Sequence, residues 1–250
     1  MACDESCFDA ELHLQGRAAP EFHPVSSCRP GEAEAAWRLV RPRGASADFT
    51  AGRLQAMCQG LPAPLAAFEP REPLQPPQLR VQWMGATGWG AVAAEALLPG
   101  GFVCFYAGEL LADAEAEARC TAPGRDAYLF NLTTAKQCRK LGAEVVSTGD
   151  EDNPVYVIDA YVKGNVGRFL NHACGPSFEA NVSPIYLFGP EDVVDARLPR
   201  VAFFANRSIA PGEELRYDYG MPPEAVLSPS GGVRHQSCLC ESRACRGRIY

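Results

Sequence analysis

The chain has 250 residues, which is enough for one domain with a sizeable core and further segments around it. It contains no apolar run near the roughly 20 residues of a membrane-spanning helix, and residues 1–30 lack the pattern of a secretory signal, so no membrane partner is expected. The formal net charge of −7 argues against a general or sequence-specific DNA-binding protein and suits a basic partner, such as a peptide rich in Lys and Arg.

The first 78 residues are poorly patterned. They are rich in Ala, Pro, Gly and Arg, and residues 70–77 have the composition of a stiff linker or an extended arm. Short helices are predicted around 32–39 and 53–59. The whole chain has eleven cysteines, an odd number without a secretory signal, and we therefore interpret them as reduced thiols and metal ligands.

From Leu79 onward the sequence predicts many short strands and one helix, which is typical of a β-rich domain. The strands are predicted from apolar alternation and turn residues at 79–83, 91–98, 102–106, 128–132, 155–159, 184–188, 200–205 and 215–219, with turns at 85–90 and 210–213. The helix is predicted at 111–120, because these residues are strong helix formers. Residues 133–154 are predicted as a long loop, 189–199 as a hairpin loop between the strands on either side, and 221–236 as a flexible link.

The predicted helix carries a row of carboxylates, Asp113, Glu115 and Glu117. Such a charged face is usually no more than the solvent-exposed side of a helix. Together with Asp126, however, the same residues would form an anionic wall that speeds the encounter with a basic peptide. The residues alone leave both interpretations open.

The stretch 164–174 combines several polar side chains with apolar residues that can anchor it in a core. Arg168, Asn171, His172 and Cys174 lie close together here among apolar residues. Polar groups on such a half-buried segment need partners, which either the fold or a polar ligand supplies. An ordinary core turn and a binding site are therefore both consistent with this stretch taken alone.

The tail has Cys238, Cys240 and Cys245 in a Cys-x-Cys-x4-Cys pattern, which is one ligand short of a tetrahedral zinc site. A fourth ligand must come from elsewhere, and Cys174 is the obvious candidate because it ends the polar stretch. A metal shared by these four thiols would fold the tail over that stretch as the roof of a pocket.

Several motifs occur in the order in which they appear in a SET domain with its post-SET tail. They are Gly88-Trp89-Gly90, Tyr106-x-Gly108-Glu109, Tyr128-Leu129-Phe130, Ile158-Asp159-Ala160, the stretch from Gly164-Asn165 to Cys174, Gly212-Glu213-Glu214-Leu215, Tyr217-Asp218-Tyr219 and the cysteine tail. The chain therefore resembles protein-lysine methyltransferases of the suppressor-of-variegation class, in particular the euchromatic histone H3 lysine-9 methyltransferases. The resemblance covers about residues 79–250 and implies an α+β, β-rich fold of short sheets with a C-terminal pseudoknot.

The resemblance also implies roles for individual residues. S-adenosylmethionine would be held by Thr87, Gly88, Trp89, Tyr128, Arg168, Asn171 and His172. Tyr219 would be the catalytic tyrosine, Tyr106 a second hydroxyl at the methyl-transfer channel, and Tyr217 the residue that governs how many methyl groups fit. Cys174, Cys238, Cys240 and Cys245 would bind a structural Zn2+.

These residue types suit methyl transfer from a sulfonium to a neutral amine. A lysine with an ordinary pKa of about 10.4 is mostly protonated at neutral pH, and a cationic sulfonium in an apolar aromatic channel lowers that pKa. Tyr106 and Tyr219 can orient the amine by hydrogen bonds, so that catalysis consists largely of positioning and electrostatics. Taken alone, Tyr217 and Tyr219 would indicate only an ordinary aromatic strand.

The expected organisation has three parts. They are an N-terminal region at 1–78 with a degenerate or absent pre-SET module, a SET domain at 79–220, and a link with the post-SET zinc tail at 221–250. A full pre-SET module has more cysteines than the four that precede Leu79, which are Cys3, Cys7, Cys28 and Cys58. An aromatic residue often stands just before the tail cysteines in the class, where this chain has Gln236 and Ser237.

The expected function is mono- and dimethylation of histone H3 lysine 9, in the nucleus and on chromatin, with S-adenosylmethionine as cofactor. Methylation of another histone lysine or of a non-histone protein is the alternative within the same class. A weakly active SET domain that serves as a chromatin-binding module is the alternative of a different kind. The presence of Asn171, His172, Tyr106 and Tyr219 favours an enzyme.

Overall fold

The structure, a computed structural model, describes residues 77–120, 126–134, 136–137, 154–187, 200–221 and 235–250, together with the backbone of 23–24 and 29–30. The helices predicted at 32–39 and 53–59, the loop at 189–199, and most of the loop at 133–154 and of the link at 221–236 lie outside these residues. Within the described part, no helix is long and apolar enough to cross a membrane.

The predicted β-rich architecture is confirmed for the described residues. The strands are β1 His23–Pro24, β2 Arg29–Pro30, β3 Leu79–Trp83, β4 Trp89–Ala93, β5 Phe102–Tyr106, β6 Glu109–Ala112, β7 Leu129–Asn131, β8 Tyr156–Asp159, β9 Lys163–Gly164, β10 Asn171–His172, β11 Val182–Leu187, β12 Arg200–Ala205 and β13 Arg216–Tyr217. The α-helix α1 spans Asp113–Arg119, and 3-10 turns lie at Gly85–Thr87, Asp126–Tyr128 and Val166–Phe169.

The strands form several small sheets. One sheet has the order β11-β12-β5 and is antiparallel throughout. A second has the order β2-β6-β8-β7, in which β2 runs parallel to β6 and the other pairs are antiparallel. β3 and β4 form a hairpin, while β1 pairs in parallel with β9 and β10 in parallel with β13.

The aromatic centre of the core is Phe203 on β12. Its side chain is completely buried, and its ring centroid lies 4.7 Å from that of Tyr217, 6.2 Å from that of Phe130 and 6.4 Å from that of Tyr106. Aromatic pairs at such distances contribute about 0.5–1.5 kcal/mol each beyond the burial of their area. The core therefore fixes the tyrosines that the sequence marks as functional.

The helix predicted at 111–120 begins later than expected, because its first residues belong to a strand. Leu111 and Ala112 end β6 and pair with β8, so that α1 starts only at Asp113. Leu111 is completely buried. Strand pairing and burial thus outweigh the helix propensity of this segment, which is rich in Leu, Ala and Glu.

Three strands have the predicted bounds, at 79–83, 102–106 and 200–205. The strand predicted at 91–98 is wrong in its second half, because β4 ends at Ala93 and Leu97 forms only an isolated bridge with Ile209. The last strand, predicted at 215–219, is reduced to the two residues of β13.

The short strand β13 lies beside the polar stretch. Its parallel pairing places Arg216 next to Asn171 and Tyr217 next to His172. The backbone N–H of Ala173 continues the contact by donating to the carbonyl oxygen of Tyr217 at 3.0 Å. This is the neighbourhood expected for the C-terminal pseudoknot, and it joins the candidate binding residues to β13, which ends two residues before the candidate catalytic residue Tyr219.

Candidate active site

A cavity of about 1270 Å³ lies between the turn after β3, the polar stretch, the end of β13 and the tail. The site residues predicted from the sequence that line it are Thr87, Gly88, Trp89, Tyr128, Arg168, Asn171, His172, Tyr217, Tyr219, Cys238 and Cys240. Tyr106 does not line the cavity, but its ring lies 5.1 Å from the ring of Phe130, which does line it. Sites for one drug-sized ligand have roughly 300–1,000 Å³, so this cavity has room for a ligand and an incoming side chain.

The first wall of the cavity is the glycine-rich turn between β3 and β4. Gly85 and Gly88 have φ angles of 78° and 83°, which residues with a Cβ adopt only under strain. Gly90 is needed for a different reason, because a Cβ there would lie 2.5 Å from both Glu214 Oε1 and Met84 Cγ. The turn can therefore pack its backbone closely against the polar stretch.

The amide of Asn171 is oriented by two acceptors. Its Nδ2 donates to the backbone oxygen of Trp89 at 3.3 Å and to Glu214 Oε1 at 2.8 Å. An amide nitrogen has two N–H groups, and both are thus used. Among the described residues Oδ1 has no hydrogen-bond partner, so this oxygen is the atom that Asn171 offers to a ligand.

The buried imidazole of His172 connects the segment that follows β13 to the cysteines. The backbone N–H of Tyr219 donates to Nδ1 at 3.2 Å, so that Nε2 carries the proton of the neutral ring and lies 3.2 Å from Cys174 Sγ. Burial lowers the pKa of His172 below its usual value and keeps the ring neutral near neutral pH. Both ring nitrogens of His172 are thus engaged within the protein, and the side chain joins Tyr219 to Cys174.

The three tyrosines differ in what their hydroxyl groups bind. Tyr106 donates to the backbone oxygen of Tyr128 at 2.8 Å, and Tyr219 donates to that of Leu170 at 3.0 Å. Both hydroxyl protons are thereby engaged, and the oxygen of Tyr219, which lines the cavity, can act toward a ligand only as an acceptor. The hydroxyl of Tyr217 has no partner among the described residues, and its ring lies 4.7 Å from that of Tyr219. Burial raises the pKa of all three, so they stay uncharged.

Arg168 supports the wall that contains Tyr128. Its guanidinium carbon lies 4.4 Å from the centroid of the Tyr128 ring, a distance at which a cation is attracted by the ring face. Nε donates to the backbone oxygen of Ala160 at 2.7 Å, and Nη2 to that of Tyr161 at 2.9 Å. Burial lowers the pKa of Arg168, and these contacts fix Tyr128 against the polar stretch.

The four predicted thiol ligands come together. The Sγ atoms of Cys174, Cys238, Cys240 and Cys245 all lie within 4.8 Å of one another. In a tetrahedral site, Zn–S bonds of about 2.3 Å separate the sulfur atoms by about 3.8 Å, and the Cys174–Cys238 Sγ distance is 3.7 Å. Backbone N–H groups also donate to Cys174 and Cys245 Sγ, at 3.3 and 3.4 Å, which stabilises thiolates. The donor set and its spacing fit a zinc ion.

Two further contacts fasten the tail, and neither was predicted from the sequence. Arg246 donates at 2.8 Å to both carboxylate oxygens of Asp218, directly after β13. Tyr250, only 6% exposed, donates its hydroxyl to Asp126 Oδ2 at 2.8 Å on another wall of the cavity. Tyr250 lines the cavity close to Gln236, and thus supplies an aromatic surface that the sequence lacks before the tail cysteines.

The acidic residues of α1 divide into two groups. Asp113 and Glu117 line the cavity together with Asp126, and we call these three residues the acidic wall. Glu115 instead forms an ion pair with Arg119 on the same helix at 2.7 Å. Burial raises the pKa of Asp113, so a positive charge arriving nearby would stabilise its ionised form.

A family model for the SET domain matches residues 88–220, which are more than half of the chain. The chain belongs to the SET-domain family. This match confirms the resemblance found in the sequence and the expected SET fold. The cysteine cluster is compatible with the zinc site of a post-SET tail that follows the SET domain.

Two relatives and one solved structure show how far the similarity extends. The Arabidopsis thaliana protein named histone-lysine N-methyltransferase, H3 lysine-9 specific SUVH5, is 39% identical over 163 residues, which are 65% of this chain and 17% of that protein. Homo sapiens histone-lysine N-methyltransferase EHMT1 is 39% identical over 159 residues, 64% of this chain and 10% of that protein. The crystal structure of Arabidopsis thaliana SUVH6 in complex with SAM matches with a TM-score of 0.55 and 34% identity, over 69% of this chain and 33% of that one. This SET-domain chain therefore spans only a minor part of the length of these relatives.

Proposed function

We propose that this SET domain is an S-adenosylmethionine-dependent protein-lysine N-methyltransferase that modifies lysine 9 of histone H3. The observation that carries the proposal is the shared cavity, whose walls include the candidate cofactor residues, Tyr217 and Tyr219, and the tail. SUVH5 and EHMT1 are named histone-lysine N-methyltransferases, and the SUVH6 structure contains SAM. The acidic wall and the net charge of −7 suit a basic histone tail as substrate.

The cofactor, when bound, supplies a methyl group on a positively charged sulfur. The residues proposed to hold it are Thr87, Gly88, Trp89, Tyr128, Arg168, Asn171 and His172. Asn171 offers Oδ1 as an acceptor for an amino group, because its two N–H groups are already engaged. Tyr128 presents an aromatic wall that suits a cationic ligand, and Arg168 keeps that wall in place.

Tyr219 is proposed to orient the lysine amine, with Tyr106 as a second hydroxyl at the methyl-transfer channel. The oxygen of Tyr219 accepts an N–H of the amine, because its own proton is donated to the backbone of Leu170. In this orientation the lone pair of the neutral amine would face the methyl group that the cofactor would supply, and the proton lost by the methylated amine would pass to solvent. The tightly packed rings hold these groups rigidly, so the contribution of the chain is mainly positioning.

The surrounding parts of the chain are assigned supporting roles in this proposal. Cys174, Cys238, Cys240 and Cys245 would hold one structural zinc ion and with it the tail over the cavity. We further propose the division into an N-terminal region at 1–78, a SET domain at 79–220 and a post-SET part at 221–250. Histone methylation assigns the protein to chromatin in the nucleus.

Transfer of a radiolabelled methyl group onto intact histones, followed by mass spectrometry of the products, tests the proposal. We expect label on H3 at lysine 9 with the unmodified chain, and none when that lysine is replaced by arginine in the substrate. Label confined to a different lysine would contradict the substrate assignment but not the enzyme class. Cofactor binding without transfer to any histone or other protein would contradict the enzyme class and indicate a binding module.

A further inference from the structure

The carboxylate of Glu214 lies between the polar stretch and the tail. Its side chain is 9% exposed, and Oε1 accepts a hydrogen bond from Asn171 Nδ2 at 2.8 Å. Its other oxygen, Oε2, forms an ion pair with Arg216 Nε at 3.2 Å. Glu214 does not line the cavity, and its direct hydrogen bond to a residue that does is the one from Asn171.

Arg216 extends this contact to the tail. Its Nη1 donates to the backbone oxygen of Cys240 at 3.0 Å. Cys240 is one of the four clustered thiols and is 2% exposed. A continuous polar path therefore runs from Asn171 through Glu214 and Arg216 to the buried end of the tail.

The glycine-rich turn closes the other side of this path. A Cβ at Gly90, the second residue of β4, would lie 2.5 Å from Glu214 Oε1 and 3.0 Å from Asn171 Nδ2, so the paired side chains pack against the backbone where the turn enters β4. Close packing of this kind leaves the carboxylate and the amide little room to rearrange.

The chemistry of the pair decides which end of the amide faces a ligand. An ionised carboxylate only accepts hydrogen bonds, and so does the backbone oxygen of Trp89, the second partner of Asn171. An amide turned by 180° would place Oδ1 against two acceptors, which is repulsive. Glu214 thus selects the orientation in which Nδ2 faces the protein and Oδ1 is left for the cofactor.

We propose that Glu214 is a positioning residue that orients the amide of Asn171 for cofactor binding and, through Arg216, links this orientation to the docked tail. The inference rests on the proposed function, because it takes Asn171 as a cofactor ligand. It differs from a general stabilising role in one respect that can be measured: the effect of Glu214 on cofactor affinity must depend on the presence of Asn171.

The adjacent residue Glu213 provides a matched control. Its carboxylate accepts from Asn181 Nδ2 at 3.0 Å and from the guanidinium of Arg207, and it does not touch Asn171. Glu213 and Glu214 therefore occupy the same turn, and both are engaged by polar partners. Only Glu214 is connected to the candidate cofactor site. A general loss of stability is therefore expected for substitutions at both residues, whereas misorientation of Asn171 is expected only for substitutions of Glu214.

The test is calorimetric titration of the full chain with S-adenosylmethionine, with thermal melting and steady-state kinetics in parallel. Glu214→Ala should weaken cofactor affinity about tenfold, while kcat at saturating cofactor stays within about threefold of the unmodified chain. Glu214→Gln keeps an acceptor oxygen and should restore affinity to within about threefold. Glu213→Ala should lower the melting temperature and leave cofactor affinity unchanged.

A double variant shows whether the effect passes through Asn171. Glu214→Ala should add nothing to the loss of affinity caused by Asn171→Ala. If Glu214→Ala does not fold, Glu214→Asp keeps the charge, shortens the reach to Asn171 and should still weaken affinity at least about threefold. Unchanged affinity in the folded Glu214 variants, additive losses in the double variant, or an equal loss in Glu213→Ala would overturn the inference and leave the proposed function intact. An unmodified chain that binds no cofactor would overturn the proposed function, and this inference with it.

Discussion

The hydroxyl of Tyr219 and the amide of Asn171 face the same cavity but are proposed to act at different moments. Tyr219→Phe removes the hydroxyl that binds the Leu170 carbonyl and keeps the ring, which lies 5.0 Å from that of His172. We therefore expect kcat to fall about 100-fold or more, with cofactor affinity within about threefold of the unmodified chain. Asn171→Ala should do the reverse and weaken cofactor binding first. Rapid-quench kinetics and calorimetry measure the two quantities, and an equal loss of binding in both variants would refute this division of roles.

Of Tyr106, Tyr217 and Tyr219, Tyr217 is the one whose hydroxyl has no partner among the described residues, and it lines the cavity. A water or the amine itself can bind there, and each added methyl group must displace it, at a cost of about 1 kcal/mol for one hydrogen bond. We therefore expect mono- and dimethylation, with trimethylation slow. Tyr217→Phe should shift the product toward trimethyl-lysine without abolishing activity. Mass spectrometry of a peptide over time decides the question, and abundant early trimethylation by the unmodified chain would contradict the steric argument.

At the scale of single residues, the sequence predicted those site residues that can be recognised from their residue type and spacing alone. Asn171, His172 and the four clustered cysteines stand out by kind and spacing, and the structure brings them together. Glu214 was noted only as part of the motif Gly212-Glu213-Glu214-Leu215, without a role of its own, and Arg246 gave no signal. Charged residues are common on any surface, and the roles of these two depend on partners far away in the chain. The Asn171–Glu214 pair spans 43 positions, and the Arg246–Asp218 pair spans 28. Only the folded chain identifies such pairs.

The tail is an element whose position depends on the cysteine cluster. Chelation of the metal, or Cys240→Ser, should release one zinc ion per chain and abolish cofactor binding, because the tail supplies part of the cavity wall. Cys104→Ala is the matched control, since Cys104 is a buried thiol outside the cluster and its loss should leave the zinc content unchanged. Metal analysis by mass spectrometry and cofactor titration check both statements. A chain truncated after Met221 that retained this zinc would disprove the ligand assignment.

Among the elements, strands with alternating burial were the most predictable. Leu79–Trp83 alternates between half-buried and exposed residues, and its bounds are as predicted. The segment from Glu109 to Ala112 was missed because its residues favour a helix, whereas in the fold it is enclosed between β2 and β8. Local propensity is worth only fractions of a kcal/mol per residue, and the burial of Leu110 and Leu111 outweighs it.

Charge acts at the scale of the whole molecule. The net charge of −7 and the acidic wall should attract a basic peptide over distances comparable with the Debye length, about 10 Å at 0.1 M salt. Asp113→Asn combined with Glu117→Gln should raise KM for an H3 peptide several-fold at low salt with little change in kcat, and the difference should shrink at 0.5 M salt. Glu115→Gln is the control, because Glu115 pairs with Arg119. Peptide kinetics at several salt concentrations test this, and a difference that does not depend on salt would rule out the electrostatic explanation.

The order of the strands could be derived from the residues only for consecutive strands joined by a turn or hairpin loop, such as β3 with β4 and β11 with β12. Short strands carry little information about other partners, and β5, which pairs with β12, comes from a distant part of the chain. The juxtaposition of β10 and β13 was expected only from the resemblance to the family. Physically, such pairings are selected by the burial of the whole core around Phe203, which no local pattern encodes.

The walls of the cavity extend along the chain from Ala86 to Tyr250. A ribosome adds about 5–20 residues per second. About 10–30 seconds of synthesis therefore separate the glycine-rich turn from Tyr250, the last residue of the cavity wall. During this interval a nascent chain has the turn, and later the aromatic residues of the core, but no complete site. Cofactor can therefore add its binding energy to the stability of the protein only after Tyr250 has been made. Until then the unfinished domain depends on its apolar core, or on chaperones, to avoid aggregation.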